Sequence, residues 1–283
     1  MMKKLIIFTD LDGTLLHPTT YSFEEAQPAL QLIQERGIPL ILCSSKTRAE
    51  LEVYRKRLRN RHPFVSENGG GIFIPEGYFP FPVQGGVTRD GYRVISLGTP
   101  YDEIRRRFSE LRSELGIRAT GFGDMTPGEV ASLTGLSQDE AVLAQVREYE
   151  EPFVFEGTPD ERFFQAIESS GLRWTQGRFY HLMGNHHKGK AVELLRTMFE
   201  RQYGPVTIVG LGDSLNDLAF LLAVDRPVLM RRADGSYDPR INIPGLYRTN
   251  KTGPAGWNEA VLKLPEMDAS AHCQEGGPDR QPD

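Results

Sequence analysis

Apolar residues fall along this chain in two rhythms. Short runs of the size of strands buried on both faces, broken only by Thr207, occupy residues 5–8, 38–43, 206–209 and 227–230. Between them lie stripes at helical spacing, Ala29, Leu30, Leu32 and Ile33 in one and Leu194, Leu195, Met198 and Phe199 in another. Ser22 and Glu25 have capping-box spacing ahead of the first stripe, Pro28 lies in its first turns, and Gly37 stops it. A further helix is expected over residues 47–58. Strand, helix and strand within about forty residues predict a βαβ unit with a right-handed crossover. The fold class is therefore α/β, with a doubly wound parallel sheet.

Near Val83 the rhythm changes, and it stays changed to Leu182. Strands are expected at residues 94–97 and 153–155, then a strand pair, 172–175 and 178–182, turning at Gln176 and Gly177. Helices are expected at residues 101–115, 127–134, 138–149 and 159–169. This alternation predicts an α+β insert with its own sheet. Residues 1–82 and 183–264 then form one core, residues 83–182 the inserted domain, and residues 265–283, polar and rich in Gly, Pro and Asp, a disordered tail.

Chemistry-bearing residues gather at the ends of the predicted core strands, where open α/β sheets bind ligands. Asp10 and Asp12 follow the first run, with Gly13 permitting a tight turn. Like charges this close call for a cation between them or a proton on one, so a hard-cation site with a carboxylate nucleophile is one reading and an acidic turn or helix cap the other. Ser44 and Ser45 end the second strand, as a phosphate cradle or as plain capping residues. Asn68 precedes three glycines, in a hairpin or in a turn aimed into the cleft. Lys188 opens a helix, where the dipole disfavours a cation unless an anion is near. His186 and His187, lacking partners at ligand spacing, read as solvent-facing. Asp213 and Asp217 lie four apart across a strand-to-helix turn, with Ser214 or Asn216 as its cap.

Composition narrows the classes. Hydrophobic content of 39% and charged content of 25% describe a soluble globular chain of 283 residues. No run is long enough to span a bilayer, and none resembles a signal peptide. Two cysteines, Cys43 and Cys273, without metal-type spacing suit a reducing, cytoplasmic setting. A net charge of −5 argues against nucleic acid and asks for a local positive pocket if the ligand is anionic. Oligomeric state is left open.

Together Asp10-Leu11-Asp12-Gly13-Thr14, Ser44-Ser45, Lys188-Gly189 and Gly210-Leu211-Gly212-Asp213-Ser214-Leu215-Asn216-Asp217 resemble the four motifs of the haloacid dehalogenase superfamily of phosphatases. The long insert looks like the large α/β cap of the branch that includes sucrose-phosphate and trehalose-phosphate phosphatases. Residues 44–50, 67–71, 147–153 and 177–182 are similar to the mannosyl-3-phosphoglycerate phosphatase family. The resemblance implies a Rossmann-like core and an aspartyl-phosphate mechanism: Asp10 as nucleophile, Asp12 as general acid then base, and Mg²⁺ held by Asp10, the Asp12 carbonyl and Asp213. It implies that Ser44 or Ser45 and Lys188 grip phosphate, and that Asn216 and Asp217 orient the metal waters and Lys188. The implied substrate is a small-molecule sugar phosphate, mannosyl-3-phosphoglycerate, yielding mannosylglycerate, a compatible solute. Its carboxylate needs a cation from the insert; Arg178 is the first candidate, with His181 and Arg173 behind it. A phosphatase of glucosyl-3-phosphoglycerate or another sugar phosphate is the alternative; a phosphomutase and a non-enzymatic regulator are more distant ones.

Overall fold

The computed structural model describes residues 3–267. The first apolar run is β1 (Lys4–Thr9), buried throughout after Lys4. The helix after it, α1 (Gln27–Glu35), turns Ala29, Leu30 and Ile33 inward. The expected capping box does not form. A 3-10 turn over Glu24–Ala26 comes first, and the Ser22 hydroxyl accepts from the Glu24 amide instead. The cause lies upstream, in a turn that ties His17 to Tyr21 and Ser22 and holds Tyr21 at φ 54°.

β2 (Leu40–Cys43) and α2 (Arg48–Arg57) complete the βαβ unit, and α2 carries a full capping box between Thr47 and Glu50. β3 (Phe64–Ser66) joins parallel to β2, and β4 (Gly71–Pro75) returns antiparallel. β5 (Val87–Arg89) and β6 (Tyr92–Ser96) prolong this edge, β6 pairing with β4. The strand expected to open the insert near Val94 thus belongs to the large sheet, where Val94 packs in the same core as Phe73. Alternation marks a strand but does not name its neighbour.

The second sheet is built from the segment that follows: α3 (Tyr101–Leu115), β7 (Ala119–Gly121), α4 (Pro127–Thr134), α5 (Gln138–Ala144), β8 (Glu150–Phe155), α6 (Glu161–Ser169), β9 (Arg173–Gln176) and β10 (Tyr180–Met183). Its order is β7-β8-β10-β9, all antiparallel. α3 and α6 cover one face through Ile104, Phe108, Phe163 and Ile167. The helix expected to reach Tyr149 ends at Ala144. The next residues are drawn off the helix path because the buried Glu67 carboxylate accepts from the amides of Glu148, Tyr149 and Glu150.

The chain then returns through α7 (Lys188–Tyr203), β11 (Val206–Gly212), α8 (Leu218–Leu221), β12 (Arg226–Arg231), β13 (Tyr247–Thr252) and α9 (Gly253–Leu262). The nine-stranded sheet runs β13-β12-β11-β1-β2-β3-β4-β6-β5, parallel from β13 to β3. One face packs on α1, α2 and α9, the other on α7 and α8. The first residues of the expected tail are instead packed: Pro265–Met267 form a turn with Met267 buried, and Arg226 pairs with Glu266. Residues 268–283, the rest of that expected tail, lie outside the described residues. The two crossings between the sheets run side by side, so close that a Cβ on Gly184 would collide with Thr99.

Candidate active site

Strand register assembles the site. Thr9 pairs with Leu211 on one side and Leu42 on the other, so β1, β11 and β2 end together and place Asp10, Asp213 and Ser44 just beyond. The Asp10 amide donates to the Leu211 carbonyl at 2.9 Å. Behind it, the buried Trp257 indole donates to the Thr9 hydroxyl, which donates to the Asp10 carbonyl, at 3.0 and 2.7 Å. No local signal in the sequence ties Trp257 to Asp10.

Lys188 is wholly buried, with Nζ 2.6 Å from Asp10 Oδ1 and 2.6 Å from Asp217 Oδ1. Burial alone would lower its pKa, but Asp10 and Asp217 beside it hold it above the ordinary lysine value. His187 caps the helix, its ring accepting from the Lys190 amide. Asp217 Oδ2 accepts from the amides of Asp213 and Ser214 at 2.9 and 3.2 Å and so clasps that loop. Burial raises the carboxyl of Asp10 well above its usual range, against Lys188, and pushes Asp213 up to about 7, with Asp217 adding repulsion.

Asp10, Asp213 and Asp217 each offer a carboxylate oxygen, all within 4.8 Å of one another. Three carboxylates against one ammonium leave negative charge uncompensated in a buried place. The donor set is all oxygen. Both facts fit a hard divalent cation. The turn is shaped for it: Gly13 stands at φ 77°, and a Cβ there would lie 2.8 Å from Asp213 Oδ2. Asp12 points its carboxylate elsewhere, Oδ2 lying 2.9 Å from Lys46 Nζ. Lys46 is itself buried, 3.5 Å from Glu50, and over the rings of Tyr21 and Tyr54. Ser44 is buried, its Oγ accepting from the Lys46 amide at 3.3 Å, while Ser45 lies on the wall of the cleft.

That cleft is a cavity of about 460 Å³ between the two sheets. Asp10, Asp12 and Asp213 line it from the core, and Arg178, His181 and Arg147 from the insert. Arg178 donates to the carbonyls of Thr134 and Leu133 and to the Tyr21 hydroxyl, with no carboxylate among these partners. Its charge thus remains available to the cavity. His181 is buried, with Nδ1 3.0 Å from Glu150 Oε1. Arg147 holds the Ser45 carbonyl at 2.7 Å. Three expected placements change. Arg173 lies on the exposed side of β9, bonded to Asn185 and away from the cavity lining. Asn68 sits behind the wall rather than on it, donating to Glu150 and accepting from Asn216. His186 is buried, its ring 3.1 Å from the Glu67 carbonyl, with burial pushing its pKa down to about 4. A polar doublet in sequence does not reveal that one member faces inward.

Residues 7–78 match the family of haloacid dehalogenase-like hydrolases. The chain is 46% identical over 264 residues to the glucosyl-3-phosphoglycerate/mannosyl-3-phosphoglycerate phosphatase of Methanococcoides burtonii, covering 92% of this chain and 97% of that one. This chain belongs to the haloacid dehalogenase-like hydrolases. A mannosyl-3-phosphoglycerate phosphatase of Pyrococcus horikoshii is 38% identical over 226 residues, covering 80% of this chain and 90% of its own length. Among solved structures of the fold, Thermoplasma acidophilum 0175 superposes with a TM-score of 0.67 at 15% identity, covering 94% of this chain and all of that one. The sucrose-phosphatase of Synechocystis does so at 0.59 and 13% identity, over 92% and 98%. Among the described residues of this haloacid dehalogenase-like hydrolase, no helix is long and apolar enough to cross a membrane.

Proposed function

We propose that this chain is a Mg²⁺-dependent phosphatase that hydrolyses mannosyl-3-phosphoglycerate, and glucosyl-3-phosphoglycerate beside it, to the sugar glycerate and phosphate. The observation that carries the reading is the buried Asp10–Lys188–Asp217 array with Asp213 beside it, at the floor of a cleft whose wall carries Arg147 and Arg178. The Asp10 carboxylate attacks phosphorus, a new P–O bond forms, and the ester bond to the glycerate oxygen breaks. Asp12 gives that oxygen its proton. Water then attacks the aspartyl-phosphate, Asp12 takes its proton, and phosphate leaves. Lys188 and the Ser44 or Ser45 hydroxyl balance the phosphoryl charge. Asp10, the Asp12 carbonyl and Asp213 would hold Mg²⁺, with Asn216 and Asp217 outside them; bound there, the ion neutralises charge between nucleophile and phosphate. Asp217 is spoken for by Lys188 and two amides, which suits an outer role.

On the substrate side, Arg178 presents its charge to the glycerate carboxylate, and His181 lies on the same wall. The relatives named for both sugars support a cavity that tolerates either epimer. Phosphate release with Mg²⁺, measured against both sugar phosphoglycerates and simple sugar phosphates, tests the proposal. Preference for the phosphoglycerates supports it; an isomer formed without free phosphate, or faster release from simple esters, refutes it. Asp10→Asn is expected to abolish turnover in a folded protein, and substantial residual activity would sink the nucleophile assignment.

A further inference from the structure

Glu150 stands at the start of β8 with its side chain wholly buried. Three polar side chains converge on it. His181 Nδ1 is 3.0 Å and Arg147 Nη1 3.1 Å from Oε1, and Asn68 Nδ2 donates to Oε2 at 2.8 Å. Burial would raise its carboxyl, but His181 first and Arg147 with it hold it below the ordinary value. Arg147, whose guanidinium can only donate, faces one oxygen and the Asn68 amide the other, so Glu150 stands here as a carboxylate, which only accepts.

That single fact orients everything beyond it. A side-chain amide has one donating end and one accepting end. Asn68 must turn its NH₂ to Glu150, so its Oδ1 faces away, where it accepts from Asn216 Nδ2 at 3.1 Å. Asn216 must then present Oδ1 to Ser214, whose hydroxyl lies 2.8 Å off. The same hydroxyl lies 2.9 Å from Asp213 Oδ1. A hydroxyl has one proton, so two acceptors share it and Asp213 receives less than a whole hydrogen bond. The backbone is bent to make this junction. Glu67 and Asn68 stand at φ 46° and 52°, a region non-glycine residues seldom adopt. The Glu67 carboxylate also pins the Glu148–Glu150 amides against that turn.

We propose that Glu150 is a positioning residue: from the inserted domain it sets the polarity of the Asn68–Asn216–Ser214 chain and so leaves the Asp213 carboxylate underbonded and ready to hold a cation. This rests on the reading of Asp213 as a cation ligand. It also makes the state of the metal loop depend on the inserted domain being seated, since Glu150 starts β8 of the second sheet, Asn68 follows β3 of the large one, and the two meet directly behind the cavity wall.

Glu150→Gln tests it. The glutamine Oε1 still accepts from His181 and Arg147, but its NH₂ now faces Asn68. Both asparagines reverse, every bond is remade, and Asn216 donates to Ser214 Oγ. The Ser214 proton then goes wholly to Asp213. The expected result is a fall in metal-free melting temperature of roughly 6–20 °C, because the buried Arg147 loses its carboxylate partner, and a Mg²⁺ affinity, by titration calorimetry on the full chain, about tenfold weaker. With no proton to redirect, the Glu150→Gln/Ser214→Ala double variant should bind Mg²⁺ as Ser214→Ala alone does. Wild-type affinity in Glu150→Gln, or a loss that persists in the Ser214→Ala background, overturns the relay. A wild-type chain that binds no Mg²⁺ overturns the reading of Asp213, and this proposal with it.

Discussion

Replacing Lys188 by methionine removes one positive charge and little volume from the centre of the site. The ammonium is fully buried and bonded at 2.6 Å to both Asp10 and Asp217. Removing one member of a buried ion pair costs about 3–5 kcal/mol, because the charge left behind is uncompensated. At about 2–4 °C per kcal/mol for chains of this size, the metal-free melting temperature at pH 8 should fall by roughly 6–20 °C. The loss has a definite pH dependence. Burial already raises Asp10, and Asp213 to about 7. A carboxyl raised in the folded state contributes its stability below the unfolded value and loses it as pH climbs through the folded one. Without the lysine these acids hold their protons to still higher pH, so the variant runs close to wild type near pH 5 and separates from it above neutrality. Lys188 itself, raised above its free value, gives up its contribution only in alkali. Phosphate release should drop about 10²–10³-fold with the loss of this electrostatic support. Scanning calorimetry of both proteins at pH 5, 6.5 and 8 is the assay. A melting gap equal at all three, or under about 2 °C throughout, would refute the charge-compensation argument.

Gly13→Ala places a Cβ 2.8 Å from Asp213 Oδ2 on a backbone at φ 77°. We expect about 1–2 kcal/mol of destabilisation from the backbone alone and a larger loss of Mg²⁺ affinity by calorimetry; unchanged metal binding would show that Asp213 is not held where the cation sits. Arg178→Ala should raise KM for the sugar phosphoglycerates more than for a simple aryl phosphate, and an equal effect on both would remove Arg178 from carboxylate recognition.

What the sequence reveals here follows a physical divide. Asp10 and Asp213 are visible because buried parallel strands are nearly unbroken apolar runs, and acids at their ends have few other reasons to be there. Lys188 is visible as a mismatch with its own helix dipole. Partner choice across distance is not visible. Glu150 looks like one of several surface acids until Asn68, from 82 residues earlier, meets it. Lys46 looks like a helix-start cation until Asp12 is found beside it. The capping spacing at Ser22 and Glu25 is correct locally and is overridden by the Tyr21 turn, whose residue lines the cleft. Arg173 and Arg178 share one hairpin, yet only Arg178 is on the cavity wall, because it sits in the bend between β9 and β10 while Arg173 lies at the far end of β9.

The place of β1 in the large sheet also bears on how the molecule is made. Its flanks are β2 and β11, and the Thr9–Leu211 pairing closes a loop of about two hundred residues. At 5–20 residues per second, about 10–40 s of synthesis separates β1 from the partner that completes it. The segments of the second sheet and its helices are all made by Met183, before β11 exists. Until then the apolar edge of β1 is unpaired, a template for pairing with another chain. The inserted domain is thus synthesised before the site beneath it can be completed, and a chain interrupted between the two leaves β1, which leads to Asp10, with an open edge.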